Sequence, residues 1–488
     1  MTQILTMSPE ELHEFGSRID DAEDAGDLAQ LEALDAQAAT LVADETDQFS
    51  AYIWYFRSNI QSAIQTIQDP QSWKWRQLHR ERQILYLRRA IAHKTFLLLP
   101  EVMRASILVN LGNSLSAFGR GLEAIELYDS ALELVPKYAM AQGNRGEAMY
   151  ALLRSIPDPG HAHLLAAYAH QYLEATQAAD ANWENGNINA KVHYKAYAEH
   201  IAGKIDPEQI RRDQSLDEFS LGKSSAERNY RLWSLRHNLF LNPLNVLGKH
   251  SIAAGDRMNL PSHITPIMDP PQYIAWFNQM KQEYIGARWF LYEGTRLPRR
   301  HFADRESFLV NTLDYPAHSL QTEKLRTAFR LAYGLLDKVA GFVNTYYKLG
   351  MDAKRVDLRN VWREKKVDLR PEFVEKKNLA LRGLCWLALD IIGDDPNDQD
   401  SIAPEAAELK RIRNLLEHRT LVIREMGTAS PLGAVETIAL GDFERHALHI
   451  VKLARAALMY LAFSMKLEEE ERHASDTSLA APIELPLL

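Results

Sequence analysis

The chain is poor in residues that cross-link or interrupt structure. One of its 488 residues is cysteine, Cys385, which excludes an intramolecular disulfide framework and a cysteine-cluster zinc site and fits a reducing compartment. Glycine (23) and proline (20) are sparse. Alternating Val/Ile/Thr segments bounded by turn pairs are nearly absent, so little sheet is expected. No uninterrupted apolar run approaches the ~20 residues that span a bilayer. The opening MTQILTMSPEEL lacks the basic start and long apolar stretch of a signal peptide. A cytoplasmic chain with no membrane partner is the expectation. Apolar residues (46%) and charged residues (25%) are in ordinary globular balance, which excludes wholesale disorder. The length suggests roughly two to four domains.

The net charge of −9 is unevenly spread. Residues 1–50 hold thirteen Asp/Glu against Arg18, a net −12, so the remaining 438 residues carry +3. A polyanionic partner for the rest of the chain is therefore compatible with the overall acidity. The acidic segment itself fits a tail, a decoy polyanion or a further amphipathic helix.

Within the first half, residues 105–138 (ASILVNLGNSLSAFGRGLEAIELYDSALELVPKY) form a distinct unit. Two helical stretches flank a turn at Gly119–Gly121, and Pro136 closes the second. Small residues (Gly112, Ala124, Ala131) stand where helices must approach, and Leu108, Leu111, Leu115 and Tyr128 fill the gaps. The unit resembles a tetratricopeptide repeat. Gly146 follows Gly112 at one 34-residue period and Ala90 precedes Ala124 at another, which marks weaker neighbouring repeats; AYIWYFRSNI (51–60) fits a still earlier one. Stacked repeats of this type imply a concave surface for a protein or peptide partner.

Between about 205 and 265, Asp206-Pro207, Asn242-Pro243, Gly248, Gly255 and Pro261 break the helical pattern and suggest a spacer. Helical periodicity then resumes over 270–294, 322–347, 378–393, 404–423 and 442–471, five amphipathic stretches of bundle length. The expected fold is all-α: an acidic N-terminal segment and helical repeats over 1–204, a helical spacer over 205–265, a helical bundle over 266–475 and a tail over 476–488.

Most signatures of catalysis are missing: no P-loop, no G-x-G-x-x-G after a strand, no nucleophile elbow and no His-Glu-x-x-His. The run HAHLLAAYAH (His161, His163, His170) lacks helical metal-ligand spacing, so neither metal nor cofactor is expected. RIRNLLEHR (411–419) stands out, with Arg413, then Asn414, then His418. A guanidinium grips phosphate oxygens in a fork and an imidazole moves protons near neutral pH. Together they suffice to cleave RNA by attack of the 2′-OH on the adjacent phosphate.

The spacing alone also occurs at six other Arg/His pairs in the chain. On a helical wheel, Leu409, Ile412 and Leu416 form an apolar stripe, His418 points about 180° away from Leu409, and Arg413 and His418 lie about 140° apart. The same residues fit a plain surface helix with Arg413 paired to Glu417 and His418 incidental.

The surrounding sequence narrows the choice. YRLWSLRHNLFLNPLN (230–245), NQMKQEYIGARWFLYEG (278–294), TLDYPAHSLQTEKLRTAFRLAYGLLDK (312–338), RNVWREKKVDLRPEF (359–373), LRGLCWLALD (381–390) and RIRNLLEHR together resemble the HEPN superfamily, in particular a bacterial branch with N-terminal tetratricopeptide-type helices. The nuclease members carry an Arg-x4–6-His motif. The resemblance implies a metal-independent endoribonuclease of defence or toxin type, regulated through its repeats, with RNA as substrate. It makes Arg413 the phosphate-gripping residue, His418 the proton-transfer residue and Asn414 their polar companion. It also implies a homodimer in which two motifs meet at one cleft, answering the 140° separation.

Supporting groups are Glu283, Arg288 and Asp337, each of which also fits a structural role. Tyr284 and Tyr333 fit base stacking or core packing. Residues 354–377 carry nine Lys/Arg against five Asp/Glu with Trp362 among them. Arg359, Arg363, Lys365 and Lys366, with Arg411 and Arg419, are thus candidates for RNA binding. A solvated helix face is the other reading of that stretch, and Arg296, Arg299, Arg300 and Arg305 form a second basic cluster. A non-catalytic dimeric adaptor that binds a protein through its repeats is the competing function. A nucleotidyl-transfer role is weaker because no phosphate-binding glycine loop or metal-binding acidic pair is present.

Overall fold

The computed structural model describes residues 8–41, 49–69, 73–266, 269–296, 301–364, 368–391, 403–426, 435–475 and 485–486. Among them the chain is almost wholly α-helical, with 17 α-helices and four short strands.

The N-terminal half is a succession of antiparallel hairpins, each helix packing on the next. α1 (Pro9–Ala25) begins with a capping box between Ser8 and Glu11 and ends at Gly26 in the left-handed region. With α2 (Leu28–Leu41) it buries Leu12, Phe15, Ile19, Leu31 and Leu34 against α3 (Ser50–Gln68). The acidic segment is thus an amphipathic helix pair over the described part of 1–50, its carboxylates on the outer faces. α4 (Leu78–Ala92), α5 (Glu101–Ala117), α6 (Gly121–Leu134), α7 (Ala139–Leu152), α8 (Pro159–Ala175) and α9 (Ala190–Ala202) continue the stack. At the α5–α6 crossing Gly112 lies under the Tyr128 ring, where a Cβ would fall 2.5 Å from the ring.

Residues 205–265 hold α10 (Pro207–Asp213), α11 (Ser225–Arg236) and two 3-10 turns. Leu235, Leu239, Leu241 and Leu244 are fully buried there, and so are Asn242 and Asn245. The Asn242 side chain accepts from the Leu244 N–H and donates to the Gly255 carbonyl. The turn-forming asparagines are therefore internal brackets, and the spacer is packed into the core.

The bundle is built on α12 (Gln272–Gly294), α13 (Leu320–Tyr346) and the 36-residue α17 (Leu440–Ser475). α14 (Pro371–Val374), α15 (Leu379–Ala388) and α16 (Ala406–His418) pack around them. α17 is long and apolar enough to cross a membrane by length and composition, yet 83% of its most apolar window is buried within the fold, as in a core helix. Strands β1 (Arg363–Glu364) and β2 (Asp368–Leu369) form a small antiparallel pair. β3 (Leu421–Arg424) and β4 (Glu436–Ala439) pair in parallel, directly after α16 and directly before α17. The periodicity that suggests helix over 404–423 thus ends early: Arg419 is extended (φ −143°) and the β-branched Val422 and Ile423 continue as strand.

Array and bundle share one hydrophobic core. The α5–α6 turn meets α15 backbone to backbone: Gly119 has φ +85°, and a Cβ there would fall 2.0 Å from the Leu379 carbonyl oxygen. Phe118 stacks on Trp386 with ring centroids 3.4 Å apart. Beside them Asp390, 1% exposed, accepts from Arg88 of α4 (2.6 Å) and from Arg120 (2.6 Å). Cys385 is buried in the same helix, and burial pushes its thiol up to about 12.

Candidate nucleic-acid cleavage site

α16 has five buried residues, Ala406, Leu409, Ile412, Leu415 and Leu416, which anchor one face. Asn414, Glu417, His418 and Arg419 are exposed, and Arg413 is half-buried at the border. His418 is the last helical residue, and the Arg419 N–H closes the helix on the Leu415 carbonyl. The Arg413 guanidinium lies 5.6 Å from the centre of the Tyr333 ring and donates to Asn414 Oδ1 at 3.2 Å. Glu417 turns to Arg330 of α13 (Nε–Oε1 3.6 Å), so the Arg413–Glu417 pair compatible with the sequence is not formed.

α13 supplies the wall beneath Arg413. Arg326, Arg330, Tyr333 and Asp337 recur every three to four residues and so share one helix face. Arg326 donates to the Leu421 carbonyl (2.8 Å) and Arg330 to the Leu416 carbonyl, which fixes α13 to the end of α16 and the start of β3. Burial pushes the Tyr333 hydroxyl up to about 12. The Asp337 carboxyl is raised by burial and then by neighbouring Asp357, while Arg413 and the Leu358 N–H pull it down. Arg413 thus lies against an aromatic face, with the Asp337 carboxylate near enough to feel its charge, and it remains half-buried.

The other candidates have separate tasks. Arg288 is 2% exposed and clamps Asp256 with two bonds of 2.7 and 2.6 Å, so it is a core residue and not an open supporting group. Glu283 pairs with Lys338 (2.5 Å). Tyr284 is buried and donates to the Leu239 carbonyl. Arg411 is shared by Glu408 (2.7 Å) and Glu436 (3.0 Å), which neutralises it as a phosphate ligand.

Among its described residues, the stretch 354–377 is neither a basic groove nor a solvated helix. Those residues are turns, β1, β2 and α14, and Trp362 packs on Phe373 at 2% exposure, which leaves no face for a base. Arg359 is exposed and Arg363 half-buried. Lys365, Lys366, Arg299 and Arg300 lie outside the described residues. A cavity of about 1070 Å³ opens between α8, the 256–260 loop and α12, and none of the motif residues line it.

Sequence reasoning missed Arg326, Arg330 and Asp357. The first two carried a readable signal, a polar stripe on an otherwise apolar helix. Asp357 carried none, because its loop reaches the site only through the tertiary fold.

No curated protein and no solved structure matches the chain. Residues 264–468, which include α12, α13, α16 and most of α17, match the family model described as LA2681-like HEPN.

Proposed function

We propose that the protein is a metal-independent endoribonuclease in which Arg413 grips the scissile phosphate, His418 moves the proton and Asn414 orients the Arg413 fork. The observation that carries this reading is the end of α16: an exposed imidazole on its last turn, and one and a half turns earlier a guanidinium half-buried against Tyr333. The imidazole takes the 2′-OH proton as the O2′–P bond forms. The P–O5′ bond breaks, and the departing oxygen takes a proton from a second, protonated imidazole. The products are a 2′,3′-cyclic phosphate and a 5′-OH, with Arg413 compensating the charge on the phosphorane oxygens.

Five residues of rise separate Arg413 from His418 by roughly 7.5 Å along the axis and about 140° around it. One helix therefore presents them to different sides, and a second copy of the chain completes the constellation. The segment before α13 suits such an encounter. Phe308, Leu309, Val310 and Leu313 are 65–95% exposed, and their loop is pinned to β3 by the Arg424–Asp314 pair (2.9 Å) and the Ala317–Ile423 bond.

Purified wild type is expected to cut RNA in excess EDTA and to leave cyclic or 3′-phosphate ends. His418→Ala and Arg413→Ala each abolish cleavage while the helical circular dichroism signal stays intact. Mixing the two inactive variants restores a small fraction of the activity, because one mixed dimer holds one Arg413 and one His418 as base, with water in place of the second imidazole as acid. Cleavage that persists in His418→Ala refutes the reading. Stoichiometric capture of a protein partner, with no RNA cut at any excess of protein, favours the adaptor function. A defence or toxin role controlled through the repeats, and a cytoplasmic location, belong to the same proposal.

A further inference from the structure

We propose that Arg330 is a second phosphate-binding residue, gripping a phosphate adjacent to the scissile one; this rests on the endoribonuclease reading of the Arg413–His418 site. α13 aligns Arg330 on the same face as Tyr333, which carries Arg413, so the two guanidiniums stand along one wall. Arg330 is anchored from below by the Leu416 carbonyl, an acceptor left without a helical donor at the end of α16. That bond uses one nitrogen. Nε faces Glu417 at 3.6 Å, beyond hydrogen-bond reach, and the side chain is 43% exposed. The guanidinium is thus positioned at one edge and available at the other.

Glu417 lies next in sequence to His418 and is itself 43% exposed. In the free protein it occupies the place of an anion beside Arg330. A bound RNA phosphate displaces it, exchanging a loose, solvent-screened carboxylate contact for a forked one. Arg326, also on this face, is committed to Glu323 (2.8 Å) and the Leu421 carbonyl, so it frames the wall and does not serve as a ligand. The site is therefore built for a strand with at least two consecutive phosphates presented along the α13–α16 edge, not for a dinucleotide with one.

The test is binding of full-length protein to an uncleavable 2′-O-methyl oligoribonucleotide of eight residues, read by fluorescence anisotropy across a salt series, with a dinucleoside monophosphate as competitor. Arg330→Ala is expected to weaken oligonucleotide binding about tenfold and to lower the slope of log Kd against log salt by about 0.7. The dinucleoside monophosphate should lose far less. Arg330→Lys recovers part of the affinity. Glu417→Gln shifts binding the opposite way, toward tighter Kd, because it removes the competing carboxylate.

Arg330 as a purely structural tie predicts that both ligands weaken together and that Glu417→Gln does not tighten; either result overturns the assignment, as does an unchanged Kd in Arg330→Ala. Because nothing is cleaved in this assay, absence of nuclease activity would count against the endoribonuclease reading and leave the Arg330 result interpretable.

Discussion

Removal of the Asp390 carboxylate is the sharpest test of how the repeat array is fastened to the bundle. Asp390 and Arg120 are each 1% exposed, and Arg88 is 16% exposed. Arg120 also contacts Glu123, whose other oxygen accepts from Tyr460 of α17. Burial alone would push the Asp390 carboxyl up; Arg120 and then Arg88 outweigh it and hold the group well below the usual carboxylate range. Asp390→Ala strands Arg120 with half its compensation, and breaking a buried pair in this way costs about 3–5 kcal/mol. That energy corresponds to a rise of about two to four orders in the opening equilibrium of the joint.

Amide hydrogen exchange read by mass spectrometry is the suitable assay. Protection should fall by that factor in α4, α6 and α15, and much less in α12 and α13. Asp390→Ala combined with Arg120→Met should recover part of the loss, since the unpaired charge is then gone. The folded-state pKa is depressed, so the stabilisation is fully present above the ordinary carboxylate range and fades only as pH falls through the folded-state value. The Asp390 contribution to protection should therefore not change from pH 7 to 5, whereas burial holds the neighbouring His449 imidazole down to about 4 and costs protection as pH falls below the ordinary imidazole range. A change below about 1 kcal/mol in Asp390→Ala would refute the reasoning.

Two further outcomes follow from geometry already described. Gly119→Ala meets both a left-handed backbone and the Leu379 carbonyl, so it should destabilise the α5–α15 junction by about 1–3 kcal/mol, read as a lowered urea midpoint, with Gly26→Ala, where a Cβ meets nothing, as the milder control. Asp337→Asn should separate stability from activity. The Asp337 carboxyl is raised in the folded protein, so its ionised form is penalised at neutral pH, and that penalty disappears as pH falls below the ordinary carboxylate range. The Asn variant is therefore expected to melt higher than wild type at pH 7 and no higher at pH 3.5, while RNA cleavage drops because Arg413 loses a carboxylate beside it. An Asn variant less stable at pH 7 would contradict the cited cause.

The helices of the bundle were legible because their apolar spacing is dense and their caps are local. The stretch expected over 322–347 is Leu320–Tyr346, started by the Ser319–Thr322 box, and that over 270–294 is Gln272–Gly294. β3 and β4 were not legible. Each is four residues long, and their parallel pairing joins segments whose register depends on the tertiary fold. Asn242-Pro243 reads as part of a spacer because turn residues signal a change of direction and carry no information on depth; here the turn is buried and its Asn242 amide is satisfied internally. Trp362 stands in a basic run that suggests an RNA track, but it is turned inward onto Phe373, next to the Arg363–Leu369 strand pairing. The motif on α16 was found from its residues, whereas its wall on α13 needed the contact between two helices some 80 residues apart.

The burial of Cys385 has a practical corollary. With its sulfur sealed between α15 and the array and its thiol pushed up to about 12, hardly any thiolate exists at physiological pH, so peroxide and alkylating reagents have no foothold. A probe attached through a cysteine introduced on the outer face of α1 or beside His418 would report from that position alone, without prior removal of the native sulfur.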